Sequence, residues 1–317
     1  MSFLWQRSQG TGIGKFVALF ITLAFFYIWP FCANYWWKTM LSLIQEYDLK
    51  VSHFYLYWNL FQAVSVSIIM HTFFLICYVC EFEFIERYNV SNEPWPWKSK
   101  DKTEQAEWNT LLKKTIALYS FNLLVIGPLA IAPIIIFDLP LGNTSPNGIP
   151  SRKAFIMQLI FCVIIEDFLF HMSHRLLHYK KIYPYIHKIH HQHRVTISIS
   201  AIYAHPLEFV FGNLVPMVAG PMILHDKMHI ASIFTWYFLR TVSTLDGHSG
   251  YEFSWSPYNQ LPWLCDSGYH NYHHLNNIGN FSSFFTFWDT ILGSNKSYYA
   301  FLNEQKEIKN NKKTKVQ

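Results

Sequence analysis

The feature that most constrains this chain is a set of long stretches without a charged residue. A bilayer core about 30 Å thick needs roughly 20 apolar residues in helical form. Residues 16–37, 51–80 and 115–137 meet that length, and residues 154–165 are uncharged before Glu166 and Asp167 interrupt them. The fourth stretch then continues as FLFHMSHRLLHY. We expect four transmembrane helices, the last of which extends beyond the bilayer.

Two later apolar segments, residues 209–224 and 230–239, are broken by glycine and proline or are short. We expect a short hairpin of bent helices that is re-entrant or barely spans the bilayer. Because 51% of the residues are hydrophobic and only 14% are charged, an ordinary soluble protein fits poorly. The sequence predicts an all-α integral membrane protein with about four transmembrane helices, this bent helical hairpin and a cytosolic helical cap.

The distribution of basic residues predicts the orientation. Residues 81–114 contain six Lys and Arg, against two between the first two spans. The positive-inside rule places the richer loop in the cytosol, together with the N-terminus and the chain that follows Asp167. The formal net charge of +5 forms no single basic stripe, so we expect no nucleic-acid partner.

Histidines dominate the second half of the chain, since fourteen of the sixteen follow residue 170. The box HRLLH places two imidazoles one helical turn apart on one face, and HKIHH and HNYHH each give an i, i+3, i+4 set. Neutral imidazole is a common metal ligand. The predicted ligands of the three boxes are His174 and His178; His187, His190 and His191; and His270, His273 and His274.

Eight converging imidazoles exceed what one tetrahedral metal site holds, so the boxes predict two metal ions. A ninth candidate ligand is His248, where the hairpin returns to the cytosolic side. A purely structural role fits poorly, because grouped rings repel when protonated and bury unpaired nitrogens otherwise. Histidines without such company are assigned to packing or hydrogen bonds: His53, His71, His171, His193, His225 and His229.

Metal-bound imidazoles usually have their second ring nitrogen held by a carboxylate or a carbonyl. Asp167 lies seven residues before His174, on roughly the same helix face, and Asp246 lies two before His248. Both are candidates for holding a ligand ring, although Asp167 could equally end the apolar span. His205 is a third candidate, and we predict no catalytic side chain outside the metal ligands. Weaker candidates are Tyr203, Glu208, Asn276 and Asn277.

The boxes HxxxH, HxxHH and HxxHH, in this order around a membrane hairpin, resemble the fatty acid hydroxylase / sterol desaturase superfamily over about residues 161–294. The stretches EDFLFHMSHRLLHYKKIYPYIHKIHH, DGHSGYEF and HNYHHLNNIGNFSS look like its methylsterol monooxygenase branch. One departure is Phe170, since that branch commonly carries a further histidine at this position. The exact branch therefore stays open.

The resemblance implies a non-haem di-iron oxygenase of sterol biosynthesis in the endoplasmic reticulum membrane. It would use O2 and electrons from NAD(P)H, delivered by cytochrome b5 and its reductase, in C4-methyl oxidation or a related sterol hydroxylation, desaturation or dealkylation. We expect the chain to divide into an N-terminal transmembrane region (1–150), a catalytic domain (151–295) and a charged tail (296–317). In the tail, Lys313 and Lys315 match a lysine-based retrieval signal, and a solvated basic tail fits equally.

Several alternatives stay open from the residues alone. A fatty acid or sphingolipid hydroxylase of the same superfamily would carry the same boxes. A metal-binding membrane transporter would be expected to place histidines along a path through the bilayer, and an inactive scaffold could retain the fold. A zinc hydrolase needs a carboxylate within the box, which is missing here. Box spacing does not choose iron over zinc, copper or nickel.

Overall fold

The computed structural model describes residues 12–91, 93–137, 139, 142–260 and 263–314, and within them the chain is helical with no β-strand. Five helices are long and apolar enough to cross a bilayer. The prediction of an all-α integral membrane protein is confirmed. The five helices are α1 (Gly12–Glu46), α2 (Val51–Cys80), α3 (Lys102–Ile136), α4 (Arg152–Leu177) and α5 (Pro206–Lys227).

The predicted hairpin consists of α5 and a further helix, α6 (Ile230–Gly247). The 22 residues of α5 would extend about 33 Å at the rise of a regular α-helix. The turn between the two helices bonds to the loop that precedes α4, because the Asn143 amide donates to the Met228 carbonyl and the Ile230 amide donates to the Asn143 carbonyl, both at 2.9 Å. The hairpin therefore reaches the end of the bundle opposite the histidine boxes, and α5 is long and apolar enough to cross a bilayer.

Small residues let the hairpin pack closely against α4. A Cβ atom at Gly220 would lie 2.8 Å from the Cα atom of Cys162, so any larger residue would push α5 away from α4. The first turns of α5 widen into a π-helix over Phe209–Leu214. This irregular stretch lies in the segment where the glycines and prolines of the sequence predict a bend.

Aromatic rings join the helices on both sides of the predicted boundary at residue 150. Trp29 of α1 stacks on Phe155 of α4 with ring centroids 3.5 Å apart, and the Tyr55 and Tyr237 hydroxyls of α2 and α6 lie 2.9 Å apart. The opposite face of α1 exposes large side chains such as Phe16, as expected for a lipid-facing surface. The domain boundaries stay predictions.

The cap follows the ends of α4 and α6. It contains α7 (Ser267–Asn276), α8 (Phe287–Leu292) and α9 (Lys296–Thr314). As expected, α4 continues through the first box to Leu177. The spacing of the second box predicts a helix, but the structure differs. Residues 178–189 form successive turns, and His190–Gln192 form a short 3₁₀ turn. Pro184 within this segment lacks an amide proton and disfavours helix at Tyr183.

Of the predicted retrieval lysines, Lys313 lies in α9 and Lys315 lies outside the described residues.

Candidate metal centre

The three boxes and His248 converge into two neighbouring groups where the bundle meets the cap. Within each group, one nitrogen from every ring lies within 4.8 Å of the others. The structure thus brings together all nine histidines that the sequence predicts as ligands. The five-histidine group is His174, His178, His187, His191 and His273, and the four-histidine group is His190, His248, His270 and His274.

The Nε2 atoms of the five-histidine group face one another. Two nitrogens bound to one ion at about 2.1 Å lie roughly 3.0 Å apart at a right angle and roughly 3.4 Å apart at a tetrahedral angle. The Nε2–Nε2 distances are 3.1 Å for His174 and His187, 3.1 Å for His187 and His191, and 3.1 Å for His178 and His273. These distances match neighbouring corners of a coordination sphere around one ion.

The four-histidine group has the same arrangement. The Nε2 atom of His270 lies 2.8 Å from that of His248 and 3.1 Å from that of His274, and the Nε2 atoms of His190 and His248 are 3.4 Å apart. These rings come from the second-box turn, the C-terminal end of α6 and helix α7. The group therefore forms only when distant parts of the chain fold together.

The second and third boxes each contribute to both groups. His190 belongs to the four-histidine group and its neighbour His191 to the five-histidine group, and His274 and His273 divide in the same way. The His191 and His274 rings, one from each group, have centroids 4.6 Å apart. The two groups are thus adjacent halves of one centre.

Backbone carbonyls determine which ring nitrogen faces the centre. The Nδ1 atom of His174 lies 2.9 Å from the Phe281 carbonyl, and that of His248 lies 2.8 Å from the Thr244 carbonyl. A carbonyl only accepts, so Nδ1 carries the proton and Nε2 keeps its lone pair. Three further rings are held in this way: His190 by the Tyr203 carbonyl, His273 by the Gly279 carbonyl and His274 by the His193 carbonyl.

Burial keeps these rings neutral near pH 7. Desolvation, reinforced by repulsion from other histidines, lowers the pKa of His248 to about 3 and that of His178 to about 2. Burial also lowers the pKa of His190 to about 4, although its bond to the Tyr203 carbonyl opposes the shift. The held rings therefore direct lone pairs at one another: the Nε2 atoms of His174 and His187 lie 3.1 Å apart in one group, and those of His190 and His248 lie 3.4 Å apart in the other. A cation at the centre of each group relieves this repulsion, and two divalent metal ions fit the donor set.

None of the three residues predicted to hold a ligand ring does so through a hydrogen bond among the described residues. Asp167 accepts from the amides of Phe284 and Phe285, because those free amides satisfy its buried carboxylate. Asp246 accepts from the Ser256 hydroxyl. His205 accepts from the Leu207 amide and so caps the first turn of α5.

Among the described residues, the carboxylate that holds the ring of a predicted ligand is Glu208. Its Oε1 atom accepts from Nδ1 of His187 at 2.8 Å, and the side chain is buried. In the sequence this residue had only weak support as a neighbour of His205. Its position at the start of α5, facing the second box, is a tertiary contact that local spacing does not reveal.

A buried aspartate shapes the loop behind the third box. Asp289 accepts from the Tyr269 hydroxyl, the Ser294 hydroxyl and the amides of Phe281 and Ser282. The loop fixed by these bonds supplies the Phe281 and Gly279 carbonyls that orient two ligand rings. Asp289 stands in the motif FFTFWDTILG, but nothing in the sequence identifies this role.

A cavity adjoins both groups. Arg240 of α6 and Ser283 line it, and Nε of Arg240 donates to Glu166 of α4 at 2.6 Å. Phe170, where the resemblance would place a histidine, also lines the cavity. The histidines that line it are His174 and His187 of one group and His190, His248 and His270 of the other.

Several of the remaining histidines have hydrogen-bond roles, as predicted. His71 pairs with Ser198, His171 with Ser282, and His229 with the Ser145 carbonyl. His193 pairs with the Thr115 hydroxyl and, through its carbonyl, holds His274.

Comparison with known proteins identifies relatives over most of the chain. The family profile described as fatty acid hydroxylase matches residues 159–294. A methylsterol monooxygenase of Arabidopsis thaliana is 31% identical over 82% of this chain and 94% of its own length, and one of Rattus norvegicus is 32% identical over 71% and 72%. A very-long-chain aldehyde decarbonylase of Oryza sativa subsp. indica is 34% identical over 52% of this chain and 64% of its own. No solved structure matches significantly.

Proposed function

The chain belongs to the fatty acid hydroxylase family, and from that premise we propose that it oxidises a methyl group of a sterol at a di-iron centre. Support comes from relatives named as methylsterol monooxygenases, one of which is matched over 94% of its length. The single observation that carries the chemistry is the convergence of nine histidine nitrogens into two groups.

The nine histidines would hold two iron ions, one in each group. Histidine ligands also suit zinc and copper, so the choice of iron rests on family membership. Bound iron would supply, with O2 and two electrons, the oxidising power needed to break an unactivated C–H bond. No acidic or basic side chain achieves this at neutral pH.

The protein's own residues would position the substrate and exclude water. The cavity beside the two groups is lined by a few apolar side chains such as Phe170 and Leu177 and by a larger number of polar ones. Such a lining suits the polar end of a mostly apolar molecule. Because α4 and α5 run from the bilayer to the histidines, we propose that the sterol enters sideways from the lipid.

We also propose the setting of the reaction. The centre faces the cytosol at the endoplasmic reticulum membrane, as the basic residues of the loop between α2 and α3 favour. Electrons come from NAD(P)H through cytochrome b5 and its reductase, as the family resemblance implies.

The rice relative favours a second candidate substrate. Its name states that it acts on very-long-chain aldehydes, but it is matched over a smaller share of both chains than the two methylsterol monooxygenases. Sterol and long-chain lipid profiling of cells lacking the gene separates the candidates. Accumulation of a 4-methylsterol supports sterol oxidation, whereas an unchanged sterol profile with accumulated long-chain aldehyde supports the alternative.

Metal analysis of the purified full chain tests the centre itself. We expect two iron ions per molecule, and loss of at least one in His190→Ala and in His273→Ala, which each remove one ligand from a different group. His225→Ala is the matched control, since His225 is exposed at the other end of the bundle. Unchanged metal content in both ligand variants would contradict the proposal.

A further inference from the structure

An ion pair lies inside the helical bundle beside the proposed centre. Arg240 is 6% exposed and Glu166 is fully buried, and Nε of Arg240 donates to Oε1 of Glu166 at 2.6 Å. Burying two charges carries a large desolvation penalty, and apolar residues of similar volume often hold helices together as well. Joining α4 to α6 is therefore a weak explanation for this pair.

The guanidinium group is one side chain away from both histidine groups. Thr244 connects it to the four-histidine group, because its hydroxyl accepts from Nη1 of Arg240 and its carbonyl holds Nδ1 of His248. Phe170 connects it to the five-histidine group, since its ring lies 5.5 Å from the guanidinium carbon and 5.3 Å from the His174 ring centroid. Arg240 thus lines the same cavity as the ligands of both groups.

The pair retains unused hydrogen-bonding capacity. Oε2 of Glu166 is buried and has no partner among the described residues. Arg240 has five N–H donors, of which Nε bonds to Glu166 and Nη1 to Thr244. The Ser283 hydroxyl also lines the cavity and donates to Glu166. Arg240 and Ser283 both line the cavity, and because the Ser283 proton is directed to the buried Glu166, the Ser283 oxygen is left to accept. A donor and an acceptor therefore stand side by side at the cavity wall.

The net charge and geometry of this site select the ligand. Arg240 and Glu166 together are neutral, so they offer little attraction to a carboxylate. A hydroxyl accepts one hydrogen bond and donates another, whereas an aldehyde or an ether only accepts. A hydroxyl is therefore the oxygen function that uses both the Arg240 donor and the Ser283 acceptor.

We propose that Arg240 and Ser283, both held by the buried Glu166, bind a neutral hydroxyl of the substrate, close to the carbon that is oxidised. This inference rests on the proposed function. In a 4-methylsterol, the C3 hydroxyl is attached to the ring carbon next to the one that bears the methyl group. A substrate of this class places its hydroxyl at the pair while its methyl group faces the histidine groups.

The test compares matched sterols on the metal-loaded full chain in lipid nanodiscs. The probes are a 4,4-dimethylsterol with a C3 hydroxyl, its 3-deoxy analogue and its 3-methoxy analogue, with binding and oxidation measured for each. We expect the 3-deoxy analogue to bind about tenfold more weakly or worse, because hydrogen bonds to charged groups are lost. The 3-methoxy analogue should also bind more weakly, since it cannot donate. This comparison needs no substitution.

A double variant then assigns the effect to the pair. Arg240→Met with Glu166→Gln removes both charges and leaves neither unpaired, and we expect it to bind the hydroxyl and 3-deoxy sterols equally well. Arg152→Met, at the other end of α4, is the matched arginine control and should keep the preference.

The possible outcomes separate the two proposals. A preference for the hydroxyl in the wild-type chain that the double variant loses supports the inference. Equal binding and oxidation of all three sterols by the wild-type chain overturns it and leaves sterol oxidation standing. A double variant that keeps the preference also overturns it. Absence of any sterol binding or oxidation by the wild-type chain overturns the proposed function and the inference together.

Discussion

At the scale of single residues, the atoms behind the histidine rings decide what the rings can bind. Five of the nine rings have Nδ1 held by a backbone carbonyl and one, His187, by the carboxylate of Glu208. A carbonyl cannot be removed by substitution, but a side chain can. Glu208 is therefore the residue at which this principle is most easily tested.

We predict that Glu208→Ala lowers the affinity of the five-histidine group for metal by 10- to 100-fold, the usual cost of losing such a partner. Glu208→Gln should lose less, because its amide oxygen can still accept from His187. The measurement is metal content after equilibration at fixed free iron. Glu107→Ala, an exposed position on α3, serves as the control. Equal metal affinities of Glu208→Ala, Glu208→Gln and Glu107→Ala would show that the His187 ring is oriented without the Glu208 carboxylate.

The grouping of these histidines could be predicted from the sequence because the spacing within each box is local. The carbonyl and carboxylate groups that hold the Nδ1 atoms of these rings could not be predicted. Every residue has a carbonyl, so nothing in the sequence marks those of Phe281 or Tyr203. Asp167 was predicted on a sound helix-face argument, yet its buried carboxylate is satisfied by the Phe284 and Phe285 amides instead.

At the scale of elements, the loop between α7 and α8 is the piece that the candidate centre most depends on. It returns the chain beneath the third box and presents two carbonyls to ligand rings. Asp289 fixes it by accepting four hydrogen bonds. A carboxylate is suited to this position because both oxygens accept and neither donates.

We predict that Asp289→Asn destabilises the protein by roughly 2 kcal/mol or more, because an amide oxygen cannot serve all four donors and each unsatisfied buried group costs about 1–3 kcal/mol. Thermal unfolding in detergent should show a lower Tm, accompanied by loss of bound metal. Asp226→Asn is the control, since Asp226 lies exposed at the C-terminal end of α5. An unchanged Tm and metal content in Asp289→Asn would contradict this account of the loop.

The spans were predictable at this scale and the irregular segments were less so. Hydropathy predicted α1 to α4 because the bilayer sets their length. It underestimated the length of α5, since Gly212, Pro216, Gly220 and Pro221 are residues that usually interrupt a helix. In the structure Gly220 is where α5 approaches the backbone of α4. The second box has helical spacing, but Pro184 and the need to reach both groups favour turns.

At the scale of the whole molecule, folding requires many histidines to be buried uncharged. Burial lowers the pKa of His190 to about 4 and that of His248 to about 3, from the ordinary value of 6.5. Below pH 6.5 the unfolded chain therefore binds protons that the folded chain does not. These groups contribute stability above that pH, and the contribution is lost as the pH falls towards the folded values.

We predict that the metal-free protein loses stability steeply between about pH 6.5 and pH 4, with a slope of several protons. Asp246 opposes this, because burial raises its pKa to about 7 and its protonation favours the folded state in the same window. Bound metal should shift the loss to lower pH, since it competes with protons for the same nitrogens. Thermal unfolding across this pH range, with and without a chelator, measures both effects. A flat pH profile without metal would contradict the predicted burial.

The division of neighbouring histidines between the two groups has a consequence for assembly. His190 and His191, like His273 and His274, are joined by a single peptide bond, so covalent geometry at two places would limit the distance between two bound ions. A change of ligands or loss of metal in one group would therefore disturb the other. The centre should therefore load and unload as a pair, and a singly occupied form should be scarce at any concentration of iron.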